Sequence, residues 1–188
     1  KTMYRQIFSG HLLNFSRPVF DLVDKVVDAS IDLHQRVSKT FLPTAVKFHY
    51  QFNLRELSNI FQGLLLTRKQ EHNTPMSIIR LWIHESRRVF SDRMLDTEDI
   101  SNFNNIMQEI IKKYFDDQNQ EELNAEPIIF TPFIKEIDGD MLYAEEKQLE
   151  SLKSVLEKKL EAYNESNAEM NLVLFDQAIE HICRIGRV

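Results

Sequence analysis

Residues 48–63 read FHYQFNLRELSNIFQG. Asn53 followed three positions later by Glu56 is the pattern of a helix start: the Asn side chain caps free N–H groups, and Glu suits the first turn. Arg55 sits in that same turn. A cation there faces the positive end of the helix macrodipole, a placement that costs roughly 0.3–1 kcal/mol unless an anion is nearby. The stretch therefore places a helix over Asn53 to Leu66, with Leu54, Leu57, Phe61 and Leu65 on its apolar face, and makes Arg55 a candidate for meeting an anion from outside the helix.

The flanking sequence has the same character. Ser16 to Phe41 opens on a Ser16 cap with Pro18 in its first turn and carries Val19, Val23, Val26, Ser30, Leu33 and Val37 at helical spacing; Pro43 ends it. Thr74-Pro75 opens a further helix with Ile78, Ile79, Trp82, Ile83, Val89 and Phe90 as core. Asp96 to Asp99 opens another, carrying Ile100, Phe103, Ile106, Met107, Ile110, Ile111 and Phe115. Four such helices in succession predict an all-α helical bundle. Asp116 to Asn124 reads as a polar, solvated connection. Ile128 to Phe130 and Met141 to Tyr143 flank Asp138-Gly139, a turn pair that favours a short β-hairpin, although Pro127 and Pro132 oppose the first strand. Two C-terminal helices follow: Glu145 to Asn164 with a narrow stripe of Leu149, Leu152, Leu156 and Leu160, and Leu172 to Ile185 with Phe175, Ala178, Ile179 and Ile182 on one face. The expected organisation is a helical domain over 1–125, an irregular segment with the hairpin over 126–144, and a helical connector over 145–188.

Bulk composition narrows the function. The 188 residues carry a net charge of −6 with both signs interspersed, and no basic face large enough to hold nucleic acid emerges. No apolar run approaches the roughly 20 residues of a membrane span, and no signal peptide is evident. The single Cys183 lies on an apolar helix side beside Ile182 and reads as a small buried thiol in a reducing compartment. Because the chain both opens and stops inside periodic segments, it reads as a piece of something longer.

Enzymatic signatures are missing. The four glycines, at 10, 63, 139 and 186, are too far apart to cradle a triphosphate. His84-Glu85-Ser86-Arg87-Arg88 has Arg where a zinc-protease helix needs its second His, and Asp138-Gly139-Asp140 lacks the rest of a calcium loop, so no metal site is expected. No pair of carboxylates on an apolar background is tuned for acid–base work, and no catalytic residue is assigned. For Arg55 two readings stand: a surface arginine tied to Glu56 or another carboxylate, or a fork of donors waiting for a phosphate brought by another domain.

Longer stretches carry a family resemblance. FHYQFNLRELSNIFQGLL, FLPTAVKFHY before it, RLWIHESRRVFSDRM after it and MNLVLFDQAIEHICRIGRV at the end resemble the helical lid of an AAA+ module of dynein heavy chains. The similarity is weakest from Gln118 to Glu161. The order is similar to the lid of the third module followed by the lead-in to the fourth, and the wording to an axonemal, outer-arm type. The resemblance implies a ring of AAA+ modules that uses ATP for minus-end-directed movement on microtubules and for ciliary beating. It implies a nucleotide held between an α/β core and this lid, with Arg55 at the position of the second-sensor arginine. The implied cofactor is ATP/ADP with Mg in the complete module, none being expected in this fragment, which lacks the phosphate loop and should not hydrolyse ATP alone. The implied partners are neighbouring AAA+ modules of the same chain, the microtubule and other dynein subunits, in the axoneme of a cilium or flagellum. Nucleic acid and membrane are not among them. The alternative is a free-standing helical module that grips a partner helix in an apolar groove.

Overall fold

The structure is a computed structural model that describes residues 1–137 and 139–186. It divides into two compact units, Lys1–Ala125 and Glu126–Val188.

The first unit is helical. It contains α1 (Thr2–His11), α2 (Arg17–Phe20), α3 (Val23–Thr40), α4 (Leu54–Leu64), α5 (Pro75–Val89), α6 (Thr97–Tyr114) and α7 (Gln120–Asn124), with short 3-10 turns at Leu12–Asn14 and Ser91–Arg93. α3 packs along α6, and α4 along α5. The expected stripe of Val19, Val23, Val26, Ser30, Leu33 and Val37 is buried throughout. Ser30 fits it because its hydroxyl donates to Val26 O at 2.7 Å and accepts from Trp82 Nε1–H at 2.8 Å, so the polar atoms of both residues enter the core satisfied. The single helix expected from Ser16 is broken at Asp21 and Leu22. Ser16 makes no side-chain cap there; its N–H and hydroxyl bond to Asn73 instead.

Trp82 packs edge-on to Phe115 with centroids 5.5 Å apart, and Phe90 meets Phe52 and Phe103. The expected core of α5 is buried residue for residue. On α4 the buried set is Leu57, Ile60, Phe61 and Leu64, whereas Leu54 is exposed and Leu65 half-buried. α4 and α5 approach closely at Gly63, where a Cβ would overlap the buried Glu85 carboxylate. The connection expected to be solvated between Asp116 and Asn124 instead forms α7, capped by Asn119 and anchored by the fully buried Leu123.

In the second unit the candidate hairpin is a full two-stranded antiparallel sheet, β1 (Ile129–Ile137) against β2 (Asp140–Glu146). Pro132 is tolerated because the register is irregular between Thr131 and Lys135, where the ladder does not need its missing N–H. Of the expected turn, Asp138 lies outside the described residues, and Gly139 takes φ +87°, which glycine adopts without strain. α8 (Leu149–Ser166) and α9 (Asp176–Gly186) bury Leu152, Leu156, Ile179 and Cys183 with Ile129 and Leu174. Cys183 is a buried thiol, as read from the sequence. Phe175, expected on the apolar face, is exposed, and Leu174 takes its place. Among the described residues no helix is long and apolar enough to cross a membrane.

Candidate functional site

The start of α4 is built as its sequence requires. Asn53 has extended backbone angles, and its Oδ1 accepts from the Arg55 N–H at 3.0 Å; the Glu56 side chain turns back so that Oε2 accepts from the Asn53 N–H at 2.8 Å. This capping box satisfies two backbone donors, the N–H groups of Asn53 and Arg55, that would otherwise be open to an anion. What the helix mouth offers to its surroundings is therefore a side chain, Arg55.

Glu56 and Arg55, adjacent in sequence, have opposite fates. Glu56 is 3% exposed. Its second oxygen, Oε1, accepts from Arg93 Nη1 at 2.8 Å. Burial pushes the Glu56 carboxyl up, but the Asn53 N–H, its own N–H and the Arg93 guanidinium together hold it below its ordinary value. Arg55 is exposed, and among the described residues nothing bonds its guanidinium. The reading in which Arg55 is tied to Glu56 is thus replaced: both Glu56 oxygens are occupied by other groups.

An open cleft of about 490 Å³ lies in front of this helix end, lined by Phe48, His49, Gln51, Asn53, Arg55, Glu56 and Arg93. Its walls are fixed by non-local bonds. His34 Nε2 meets Asn53 O at 2.9 Å, Ser38 Oγ donates to Phe52 O at 3.0 Å, and His49 Nε2 meets Arg93 O at 2.9 Å. The loop before Asn53 is pinned from its other side by Lys47, whose Nζ reaches Asp96 Oδ2 at 2.6 Å and Asp99 Oδ2 at 2.5 Å. Tyr50 adds a bond, donating to Asp99 at 2.8 Å while accepting from the Leu95 N–H at 3.1 Å. The Lys47 ammonium holds the Asp99 carboxyl low, against a weaker upward push from burial, with the Tyr50 hydroxyl assisting. A rigid, cationic, solvent-open cleft suits a phosphate oxygen, which accepts several N–H donors at once. It offers no cluster of carboxylates for a metal, and among the described residues no group of three or more His, Cys, Asp or Glu is placed to hold one.

The chain belongs to the AAA+ lid domain family, whose model matches residues 26–125. Over its whole length it is 45% identical to the ciliary dynein beta chain of Tripneustes gratilla and 45% identical to dynein axonemal heavy chain 17 of Mus musculus, and 43% identical to the flagellar outer-arm dynein beta chain of Chlamydomonas reinhardtii. It spans about 4% of the length of each of these relatives.

Sequence reasoning singled out Arg55 as a candidate and passed over Arg93, which lies 37 residues from the carboxylate it pairs with. The available signal was Glu56 itself. A carboxylate on the buried side of a helix requires a cation, and the one that meets it here follows α5, in Ser91-Asp92-Arg93.

Proposed function

We propose that this chain is the lid of a regulatory AAA+ module, the third, in an axonemal dynein heavy chain, and that Arg55 reports whether the nucleotide held by that module still carries its terminal phosphate. The observation that carries the reading is the pairing pattern at the start of α4. Its acid is consumed internally, the Asn53 and Arg55 N–H groups are capped, and the Arg55 guanidinium, unbonded among the described residues, borders the cleft.

The residues fit one end of a nucleotide and no more. Arg55 stays charged at every physiological pH and presents a planar fork of donors suited to phosphate oxygens. Asn53 and Glu56 keep its helix end from fraying. Gln51 and His49 border the same opening. The base, the ribose, the inner phosphates and Mg would be held by the α/β core of the module, because the four isolated glycines here cannot form a phosphate loop. ATP supplies, when bound, an anionic oxygen cluster that ADP lacks at that position. Arg55 then prefers one lid orientation with triphosphate and releases it with diphosphate, a two-state bias of the kind that drives domain closure. The segment from Glu145 to Val188 would connect this lid to the next module and pass the change along the ring, toward minus-end-directed motion on microtubules in a cilium or flagellum.

The test is Arg55→Ala in the complete heavy chain. ATP affinity at this module should fall about tenfold or more while ADP affinity stays the same, one lost charge-assisted contact being worth that much. The dependence of microtubule gliding on nucleotide at this module should weaken with it. Equal ATP and ADP affinities before and after the substitution would overturn the proposal.

A further inference from the structure

The arginine proposed as the sensor is the residue next to a carboxylate. Neighbours on a helix do not ordinarily face each other, but Arg55 and Glu56 line one cleft, where a long arginine side chain and an uncovered carboxylate would attract. Here the approach is blocked by the way Glu56 is used. Oε2 is held by the Asn53 N–H and Oε1 by Arg93 Nη1, both at 2.8 Å. Arg93 is in turn fixed by its backbone: its N–H donates to Phe90 O at 3.3 Å, and its carbonyl meets His49 Nε2 at 2.9 Å. Its side chain is 38% exposed, against 4% for that of Glu56, so the pair is inserted from the cleft side and covers the acid.

We infer that Arg93 is a positioning residue for the sensor: by neutralising and capping Glu56 it denies Arg55 an internal partner and leaves that guanidinium free for the terminal phosphate of a nucleoside triphosphate. The inference rests on the nucleotide-sensing reading of Arg55. Two features make it more than a stabilising ion pair. The competing acid is the immediate neighbour of the sensor and lines the same cleft. The three groups are also stoichiometric, with one carboxylate, one guanidinium that takes it, and one left over. Taking Arg93 away would turn a vacant sensor into an internally paired one, with no change in the sensor's own sequence position.

The experiment compares ATP with ADP affinity at this module in the complete heavy chain, as a ratio, for four variants: Arg55→Ala, Arg93→Ala, Glu56→Gln, and Glu56→Gln combined with Arg93→Ala. Arg55→Ala and Arg93→Ala should each lower the ATP preference about tenfold, and the double variant should restore it, because an uncharged glutamine in place of Glu56 no longer competes for Arg55 while still accepting from the Asn53 N–H. A structural role alone would not be reversed by removing the acid. If Arg55→Ala lowers the ratio and Arg93→Ala does not, the positioning role is wrong and the sensor reading stands. If the double variant stays as low as Arg93→Ala, Arg93 acts otherwise than through Glu56 and the inference fails. If Arg55→Ala leaves the ratio unchanged, the sensor reading fails and this inference with it. Should Arg93→Ala not fold, Arg93→Gln takes its place: a lowered ratio that Glu56→Gln restores supports the inference, and an unchanged ratio overturns it.

Discussion

The starts of α4 and α6 are both places where a cation and a helix mouth come together, and they resolve the encounter in opposite ways. At α6, Asp96 and Asp99 from the helix start both grip Lys47, a residue of the loop before α4, and Asp99 also accepts from Tyr50. Lys47, Asp96 and Asp99 all have internal partners there. At α4 the helix contributes its own arginine, the adjacent acid is taken by Arg93, and Arg55 is left facing the cleft. The first arrangement fixes a loop. The second keeps a donor in reserve, at a position where a helix N-terminus disfavours it. A protein gains nothing in stability from such a placement, and on the proposed reading of Arg55 the two sites differ as a clamp differs from a binding group.

The largest expected effect comes from breaking the internal half of the α4 site. Glu56→Ala removes the capping box and leaves Arg93 without its carboxylate. Fully buried pairs cost roughly 3–5 kcal/mol when one partner is removed; since Arg93 is partly exposed, a loss of about 2–3 kcal/mol is expected. Trp82, the single tryptophan, is fully buried in the first unit, so its fluorescence during urea unfolding reads this unit specifically. A change under about 0.5 kcal/mol would mean that the Glu56–Arg93 pair holds nothing together.

Acid should weaken both sites, and less steeply. Glu56 and Asp99 are each held below their ordinary values of 4.5 and 3.8. A carboxyl lowered in the folded state contributes stability that is fully present above its ordinary value and is lost as pH falls through the folded one. The unfolding midpoint followed by Trp82 should therefore be flat from pH 7 to about 5 and decline below pH 4.5. Glu56→Gln should flatten the upper part of that decline and Asp99→Asn the lower part. Identical slopes in wild type and both variants would show that neither carboxyl is held by its partners.

How far this contrast could be read from the sequence depends on the range of each interaction. The capping box is local, so Asn53 and Glu56 disclosed it, and with it the exposed Arg55. The α5 core was legible for the same reason: Thr74-Pro75 sets the phase, and Ile78, Ile79, Trp82, Ile83, Val89 and Phe90 follow from it. On α4 the expected apolar face took in Leu54 and Leu65 at its margins, whereas burial selects Ile60 and Leu64, and polar-looking Glu56 belongs inside. The Arg93 partner, the Lys47 clamp and the bond from His49 to Arg93 join residues 37 to 52 positions apart, and no periodicity records such pairings. Pro132 shows the converse error. A local rule against proline in strands was overridden by a register irregularity that only the sheet could reveal.

The smallest expected effect on stability is the one that sharpens the comparison most. Arg55→Ala removes no bond within the described residues and vacates a position disfavoured by the helix macrodipole, so the first unit should unfold within about 0.5 kcal/mol of wild type, shifted if at all toward greater stability. Asp99→Asn, by contrast, strips an acceptor from Lys47 and Tyr50 and should lower the same midpoint. Urea unfolding of the two variants side by side, read through Trp82, therefore asks whether the cationic ends of this bundle are one kind of site or two. Were Arg55→Ala to destabilise as much as Asp99→Asn, Arg55 would be an internal brace like Lys47, and the vacancy on which its sensing role depends would not exist.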